Sequence, residues 1–580
     1  MQHTATAHGL PVGWAGASQD NATRCLAAAA HLDPEFSERV VQEYLAEHRR
    51  ALPPAPGVDA LAVLAEAIAA RHRRKIRDWT LLGLSAVFAV TNFLPFLCWL
   101  GTAVCWRSVY TRRSLLDGGQ KALRIRRASP FGALVLAGAV LLAYLVFGTF
   151  GTLAMLVTPG GLDVISAFVI SSCLLGVLAA DRLVEWMLAV HTFGRPVWRP
   201  GSGESWRGER RVRSLGSPRH LAQLGWLRGH QLDGNLVVFR GPKPFVGAGD
   251  LRQQWQIAIP LERAEHGVDV VPPGFEPGIE LSGRRNGSTP VAQFCPMDLY
   301  RHVCAEFERL RSSLSLAPSR RLRTMRLTPA VVASAAALLE HYDSDPRARW
   351  VLPDPSQRPA AGLSPAQLQD VANDPAEWLR HFLCIQVESW DRELVLTAFL
   401  HVGCDRQMLY LDWSYCVLLP IDPRYRRLDQ VQASPLPAVG LALADLVGLP
   451  ASLVDRVRSA VRRIELPTDE RSRPGWVSAA TYGARRSIRE FAAAGTRNFF
   501  EDADIERYSE ILERHAFGAV GDFLHRHGFS TRELGQRAMS VINNFGGNAF
   551  VGSSVTGNSF STANQFSKGS PAGGPIGARN

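Results

Sequence analysis

Lysine is nearly missing from this sequence. It occupies only positions 75, 121, 243 and 568 among 64 basic residues, so arginine carries almost all of the net charge of +11. An arginine excess with abundant alanine and glycine is typical of coding bias in a high-GC bacterium rather than of a nucleic-acid-binding surface. We therefore expect no nucleic-acid partner. Because 20% of the residues are charged and 46% are hydrophobic, wholesale disorder is also excluded.

Recognisable metal and nucleotide motifs are also lacking. The nine cysteines form no CxxC pair, and a structural zinc site usually shows four ligands in recognisable spacing. HVC at 302–304, HVGC at 401–404 and the histidines 515, 525 and 527 stay isolated candidates, so we predict no metal site and no cofactor. The stretch GPKPFVGAG at 241–249 could offer backbone amides to an anion, but no helix pattern follows it, which favours a tight hairpin or bulge. The stretch GSSVTGNS at 552–559 lacks the lysine of a phosphate loop.

No catalytic residue can be nominated from the sequence. Asp391, Glu393, Asp405 and Asp412 lie beside predicted strands, but no acid–base pair stands out among them. The sequence therefore argues against an enzyme. An enzyme would need a concave pocket in which histidines and carboxylates converge from distant parts of the chain.

Long uncharged apolar runs are the strongest positive feature. They cover 79–106, 131–157 and the shorter 164–180, and a bilayer core of about 30 Å needs roughly 20 apolar residues. We therefore predict a membrane domain over 78–193 and the lipid bilayer as a partner. No apolar run begins in the first 30 residues, so we expect no cleavable signal peptide. Basic side chains flank the runs, namely Arg73, Arg74, Lys75, Arg112, Arg113, Arg126 and Arg127.

The position of the positive charge predicts the topology. The loop TPGGLD at 158–163 has no basic residue, whereas 107–130 and 195–213 are arginine-rich and are placed in the cytoplasm. The second and third runs then form a hairpin. The first run has basic clusters at both ends and Asn92 and Pro95 near its middle, which favours a re-entrant helix pair. A single kinked span with an external amino terminus is the alternative. We expect both large soluble parts to be cytoplasmic, at a bacterial plasma membrane.

Outside the apolar runs the pattern predicts an α+β fold. We divide the chain into a helical region 1–77, the membrane domain, a linker 194–218, an α+β region 219–535 and a tail 536–580. Strands are expected on both sides of the glycine-containing turn at 241–249, and 383–390, 393–403 and 407–420 suggest an antiparallel meander. Helices are expected at 34–51, 58–78, 296–314 and 501–527. The segment 436–464 also reads as helical, but Asp445 and Pro450 argue against a fourth span.

Several stretches resemble those of a known group of proteins. NLVVFRGPKPFVGAG at 235–249, MLYLDWSYCVLLP at 408–420, NFFEDADIERYSEILERH at 498–515 and the approach to the membrane at 52–78 look like uncharacterised multi-pass membrane proteins of actinobacteria. The resemblance covers most of 30–545. It implies a membrane location and a glycine- and asparagine-rich tail, but no assigned activity.

The tail contains a long uncharged segment. Residues 538–567 contain no Lys, Arg, Asp or Glu, and GNAF at 547–550 recurs as GNSF at 557–560. Stacked copies could form asparagine ladders and bury Phe550, Val551, Val555 and Phe560 between sheets. This is loosely similar to the amyloid signalling motifs of bacterial and fungal immune-type receptors. A flexible tail and strand pairing with another protein are the alternatives, and the glycines partly oppose self-association.

Taken together, the sequence predicts a membrane-anchored cytoplasmic scaffold or sensor. It would self-associate through its tail as a homo-oligomer or bind a protein partner not identified by the sequence. A membrane-bound enzyme with a non-local site in 219–535 is one alternative. A channel or transporter subunit is another, although the apolar runs carry no charge that would line a polar pathway.

Overall fold

The fold was analysed in a computed structural model of the chain. It describes residues 21–47, 49–109, 161–195, 224–225, 234–262, 294–312, 322, 324–390, 392–462, 464, 478–496 and 498–538. The apolar run 131–157 and most of the linker lie outside the described residues. So do the predicted flanking residues Arg112, Arg113, Arg126 and Arg127 and the predicted self-association residues Phe550, Val551, Val555 and Phe560.

Helices dominate the amino-terminal half of the described chain. The helices there are α1 (Asn21–Leu32), α2 (Pro34–Leu45), α3 (Ala60–Thr91), α4 (Phe93–Val109) and α5 (Gly161–Met187), which continues as a π-helical turn at Leu188–Thr192. Asp33 caps α2 by accepting from the amides of Glu35 and Phe36, and Asp59 caps α3 in the same way. The helix expected at 34–51 is confirmed but ends at Leu45, and the one expected at 58–78 is confirmed and continues into the first apolar run.

The amino-terminal helices share a core with a distant part of the chain. Phe36 of α2 contacts Tyr425 with a ring-centroid distance of 5.5 Å, and Ile421, Leu428 and Ile488 belong to the same buried cluster. Within this cluster, α1 and α2 pack against the first half of α3. The helices before the first apolar run are therefore held against segments that follow the sheet.

A six-stranded sheet forms the centre of the α+β region. Its strands are β1 (Leu236–Phe239), β2 (Asp250–Pro260), β3 (Arg326–Ser334), β4 (Leu379–Ser389), β5 (Leu394–Cys404) and β6 (Met408–Leu418), in the spatial order β1-β3-β4-β5-β6-β2. Only β1 and β3 are parallel. The predicted antiparallel meander is β4-β5-β6 and is confirmed. The α+β class is confirmed as well.

The two strands predicted on either side of the glycine-containing turn are present, but they do not form a hairpin. β1 and β2 lie at opposite edges of the sheet, because β1 pairs with β3 and β2 pairs with β6. The predicted hairpin is therefore wrong. The segment between the strands crosses the sheet, and the aromatic ring of Phe245 stacks on that of Phe399 at a centroid distance of 4.1 Å.

Helices cover the other face of the sheet. Those of the α+β region are α6 (Pro296–Ser312), α7 (Ala335–Glu340), α8 (Ala348–Val351), α9 (Pro365–Asn373), α10 (Pro423–Arg426), α11 (Leu436–Val447), α12 (Leu453–Val461), α13 (Ala479–Tyr482), α14 (Ile488–Phe491) and α15 (Phe499–Arg526). The expected helices at 296–314 and 501–527 are α6 and α15. Both pack on the sheet, where Trp255 stacks on Phe517 of α15 at 4.7 Å.

Candidate functional site

One helix is long and apolar enough to cross a membrane. It runs from Ile165 to Thr192, and only 22% of its most apolar window is buried against the rest of the protein. A core helix of a soluble protein would be mostly buried, because burial of its apolar surface stabilises the fold. The described residues thus contain one such helix, or two if the bent pair α11–α12 counts as one span.

The first apolar run is broken in the way that Asn92 and Pro95 suggested. Helix α3 ends at Thr91, Asn92 follows it, and α4 begins at Phe93. The ring centroids of Phe88 in α3 and Trp99 in α4 lie 5.5 Å apart. In a straight helix, eleven residues would separate these rings by about 16 Å along the axis. The chain therefore folds back on itself after Asn92. The side-chain amide of Asn92 donates to Ser166 of α5, which ties the break to the neighbouring helix.

A second broken pair comes from the α+β region. Helices α11 and α12 meet at a bend of 77°, with α11 packed on α5 and α12 on α3. Pro450 begins the short 3-10 turn between them, which explains why the helical segment expected at 436–464 is interrupted. Large apolar side chains on this pair are exposed to the surroundings, namely Leu436, Val439, Leu443, Val454, Val457 and Val461.

A buried network of charges joins these four helices. It contains Arg73, Arg77 and Asp78 of α3, Asp181, Arg182 and Glu185 of α5, Asp445 of α11 and Arg456 of α12. Four positive side chains are matched by four negative ones. All of these side chains except that of Arg73 are at most 9% exposed.

The geometry of the network is that of direct hydrogen-bonded ion pairs. Arg77 Nη1 lies 2.7 Å from an oxygen of Asp181, and Arg456 Nη1 lies 2.7 Å from an oxygen of Asp78. Arg182 donates from Nε to Asp445 at 2.8 Å. Burial by itself would lower the pKa of Arg77, but the carboxylates of Asp181 and Asp78 raise it above its ordinary value. The network therefore keeps its charges while being withdrawn from water.

The predicted basic flank of the first run divides into three environments. Arg73 belongs to the network through Asp181 and Glu185. Arg74 is buried and donates to the carbonyl of Ala30 and the hydroxyl of Ser37. Lys75 donates to the carbonyl of Arg462, and partial burial lowers its pKa, as does the charge of Arg71. That these residues flank a bilayer stays a prediction.

Sequence reasoning missed the acidic half of the network. Asp181, Arg182 and Glu185 belong to the stretch DRLVE directly after the third run, and in the sequence Asp445 argues only against a span. A signal was present, because buried charges inside apolar helices need partners. The partners could not be assigned from sequence, since Asp78 and Arg456 lie 378 residues apart.

A cleft of about 370 Å³ opens on the sheet and contains several charged and polar side chains. His401 of β5 lies opposite Asp412 of β6, and Arg380 of β4 approaches Asp412 to 3.6 Å. Nδ1 of His401 is 2.8 Å from the carbonyl of His381, and burial lowers the pKa of His401. The imidazole is thus neutral near pH 7. The cleft is further lined by Gln256, Glu377 and Tyr410. It therefore offers a small polar molecule hydrogen-bond donors and acceptors as well as positive and negative side chains.

The glycine-containing segment 241–249 does bind a carboxylate through its backbone amides. This carboxylate is the side chain of Glu490 in the same chain. The amides of Gly247 and Gly249 both donate to the same carboxylate oxygen of Glu490, at 3.0 and 3.1 Å. Both glycines have positive φ, at 93° and 92°. Burial raises the pKa of Glu490, while the amides of Ser487, Gly249 and Gly247 oppose that shift. This segment therefore closes a structural contact between the sheet edge and α14.

The comparisons with known proteins give a family and no close relative. Residues 254–560 match the AbeC-like domain. The match begins within β2, includes the cleft, α11, α12 and α15, and extends to the predicted tail residue Phe560. No curated protein and no solved structure matches the chain. Because the matched segment covers more than half of the 580 residues, the chain belongs to the AbeC-like domain family.

Proposed function

We propose that this protein is a multi-pass integral membrane protein that serves as a membrane-anchored scaffold or sensor, with its AbeC-like domain docked on the membrane helices. The observation that carries the proposal is the exposed apolar surface of the helix Ile165–Thr192. The exposed apolar side chains of α11 and α12 lie on helices that pack against α5 and α3. Such a surface costs free energy in water and none in lipid.

The charge network supports the same arrangement. Asp78 directly precedes the first apolar run, and Asp181 and Glu185 lie near the carboxyl end of α5. The network therefore marks one end of the apolar segments, which corresponds to the cytoplasmic edge in the predicted topology. Through Asp445 and Arg456 it also connects the family domain to helices outside the matched segment.

The cleft on the sheet favours a sensor over a passive scaffold. Its walls come from four strands and the segment before β4, so a bound molecule would contact residues from distant parts of the domain. His401, Asp412 and Arg380 provide the polar groups that fix orientation in small-molecule sites. We assign to this cleft the binding of a small polar ligand at the cytoplasmic face of a bacterial plasma membrane.

Membrane fractionation tests the anchoring. The full-length protein, expressed in bacteria, should sediment with membranes, resist an alkaline carbonate wash and dissolve only in detergent. Replacing Phe168 and Val169, two exposed apolar residues of this helix, by lysine should reduce the membrane-bound fraction, because a lysine opposes insertion by up to about 2.5–3.5 kcal/mol at the centre of a span. Leu251→Lys and Phe500→Lys, at exposed apolar positions of the α+β region, provide the matched control. Recovery of monodisperse wild-type protein in the soluble fraction without detergent would disprove the anchoring.

Reporter fusions at residue 1 and after Asn580 test the topology. Both fusions should report the cytoplasm if α3 and α4 form a re-entrant pair. The single kinked span would place the amino-terminal reporter outside the cell. That second result would contradict our placement of both soluble parts in the cytoplasm.

The tail provides a separate prediction about assembly. Deleting residues 541–580 should leave membrane insertion intact and abolish homo-oligomer formation, because stacked asparagine-rich strands need the apolar residues Phe550, Val551, Val555 and Phe560. Analytical ultracentrifugation in detergent measures the assembly state. The matched control changes those four residues to serine and keeps the tail length. An unchanged oligomer in both variants would reduce the tail to a linker.

A further inference from the structure

Three side chains of the ligand-forming type converge between the two helices that cover the sheet. His302 and Glu306 lie one turn apart on α6, and Asp522 lies on α15. A spacing of four residues places both α6 side chains on one helix face. The two helices pack against each other at this point, with the ring of His302 5.5 Å from that of Phe523. The convergence is therefore set by the core and not by surface side chains alone.

The distances match a shared cation better than mutual hydrogen bonds. Nε2 of His302 lies 3.8 Å from an oxygen of Glu306 and 3.9 Å from an oxygen of Asp522, too far for hydrogen bonds. All three atoms lie within 4.8 Å of one another. A point equidistant from atoms in such a triangle is about 2.2–2.5 Å from each, which approaches the roughly 2.0–2.2 Å of zinc–nitrogen and zinc–oxygen bonds.

The histidine is also prepared to act as a ligand. Its Nε2 is buried and has no hydrogen-bond partner among the described residues, and buried polar atoms without partners are rare. Imidazole nitrogen is the commonest metal-ligating group among protein side chains.

We infer that His302, Glu306 and Asp522 bind a divalent transition-metal ion, Zn²⁺ in the first instance, between α6 and α15. One imidazole and two carboxylates form the nitrogen and oxygen donor set that suits zinc. Three protein ligands leave a coordination position for water. The ion would fasten the two helices to each other on the sheet.

Two arginines compete with the ion. Arg309 pairs with Glu306 at 2.6 Å, and Arg526 pairs with Asp522 at 2.6 Å. Both guanidinium groups are largely exposed, at 61% and 47%, so they can swing into solvent at small cost. Their removal should therefore strengthen metal binding.

Zinc titration of the full-length protein tests this site. Tag-free protein in detergent is stripped with EDTA, dialysed and titrated with ZnCl₂ by calorimetry, with metal content checked by mass spectrometry. His302→Ala should weaken the zinc binding of this site by more than about 100-fold, since loss of outer-shell partners alone costs 10–100-fold. His525→Ala, an exposed histidine on α15, is the matched control and should bind as the wild type does.

The double variant Arg309→Gln/Arg526→Gln should bind zinc several-fold more tightly. It decides the question if His302→Ala proves misfolded by circular dichroism, because it removes only competing charges. Equal zinc stoichiometry and affinity in wild type and folded His302→Ala would overturn the proposal. So would an unchanged affinity of the arginine double variant.

Discussion

Replacing Asp78 by alanine should lower the free energy of unfolding by about 3–5 kcal/mol, because it removes one partner from buried ion pairs. The Asp78 side chain is 2% exposed and forms ion pairs with Arg77 and Arg456. Without it, two buried guanidinium groups lose a carboxylate. Denaturant unfolding of the full-length protein in detergent micelles, followed by tryptophan fluorescence, measures the change.

Two further variants make this test specific. Arg458→Ala is the control, because it removes a 75% exposed arginine from the same helix as Arg456. It should lower the free energy of unfolding by no more than about 0–1 kcal/mol, the contribution of an exposed ion pair. The double variant Asp78→Leu/Arg456→Met removes both charges of one pair and should recover most of the loss, since apolar replacements of buried pairs are often neutral or stabilising. An Asp78→Ala effect as small as that of Arg458→Ala would mean that the network is solvated.

Replacing Gly249 by alanine should destabilise the protein by about 2–6 kcal/mol, from backbone strain and overpacking together. Gly249 has φ +92°, and an added Cβ would lie 2.2 Å from the carbonyl oxygen of Val417 and 2.6 Å from Cα of Leu418. Both atoms belong to the backbone of β6, the neighbour of β2, so neither can turn away. The amide of Gly249 would also move off Glu490.

Gly241 separates the two causes of this loss. It has φ +81° in the same segment, but nothing lies within 4 Å of an added Cβ. Gly241→Ala should therefore cost only the left-handed backbone penalty of about 1–2 kcal/mol. Thermal unfolding monitored by circular dichroism compares the two variants. Equal shifts in Tm would show that the contact with β6 contributes nothing.

These predictions concern two kinds of contact between distant segments. The charge network joins α3 and α5 to the AbeC-like domain, and the contact of Gly247 and Gly249 with Glu490 joins the edge of the sheet to α14. The first holds the family domain to the apolar helices, and the second closes the domain itself. Loss of the first should therefore release the domain from the apolar helices before the sheet unfolds.

The sequence by itself determined the local elements and the places where they break. Apolar periodicity predicted α2, α3, α6 and α15, and alternation predicted β4, β5 and β6, because each pattern reflects the repeat of one helix or strand. Asn92 marked the break between α3 and α4, since a helix pattern is interrupted locally. The break at Pro450 was not predicted, because 436–464 has the pattern of one helical segment.

Only the tertiary structure decided which elements meet. The strands around 241–249 looked like a hairpin, yet they occupy opposite edges of the sheet, because pairing depends on partners far along the chain. Likewise Arg77 and Asp181, 104 residues apart, read as unrelated charges until α3 and α5 pack together. Local sequence patterns encode the residue repeat of a helix or a strand. Whether a charged side chain is buried, or a strand lies at the edge of the sheet, depends on the whole fold.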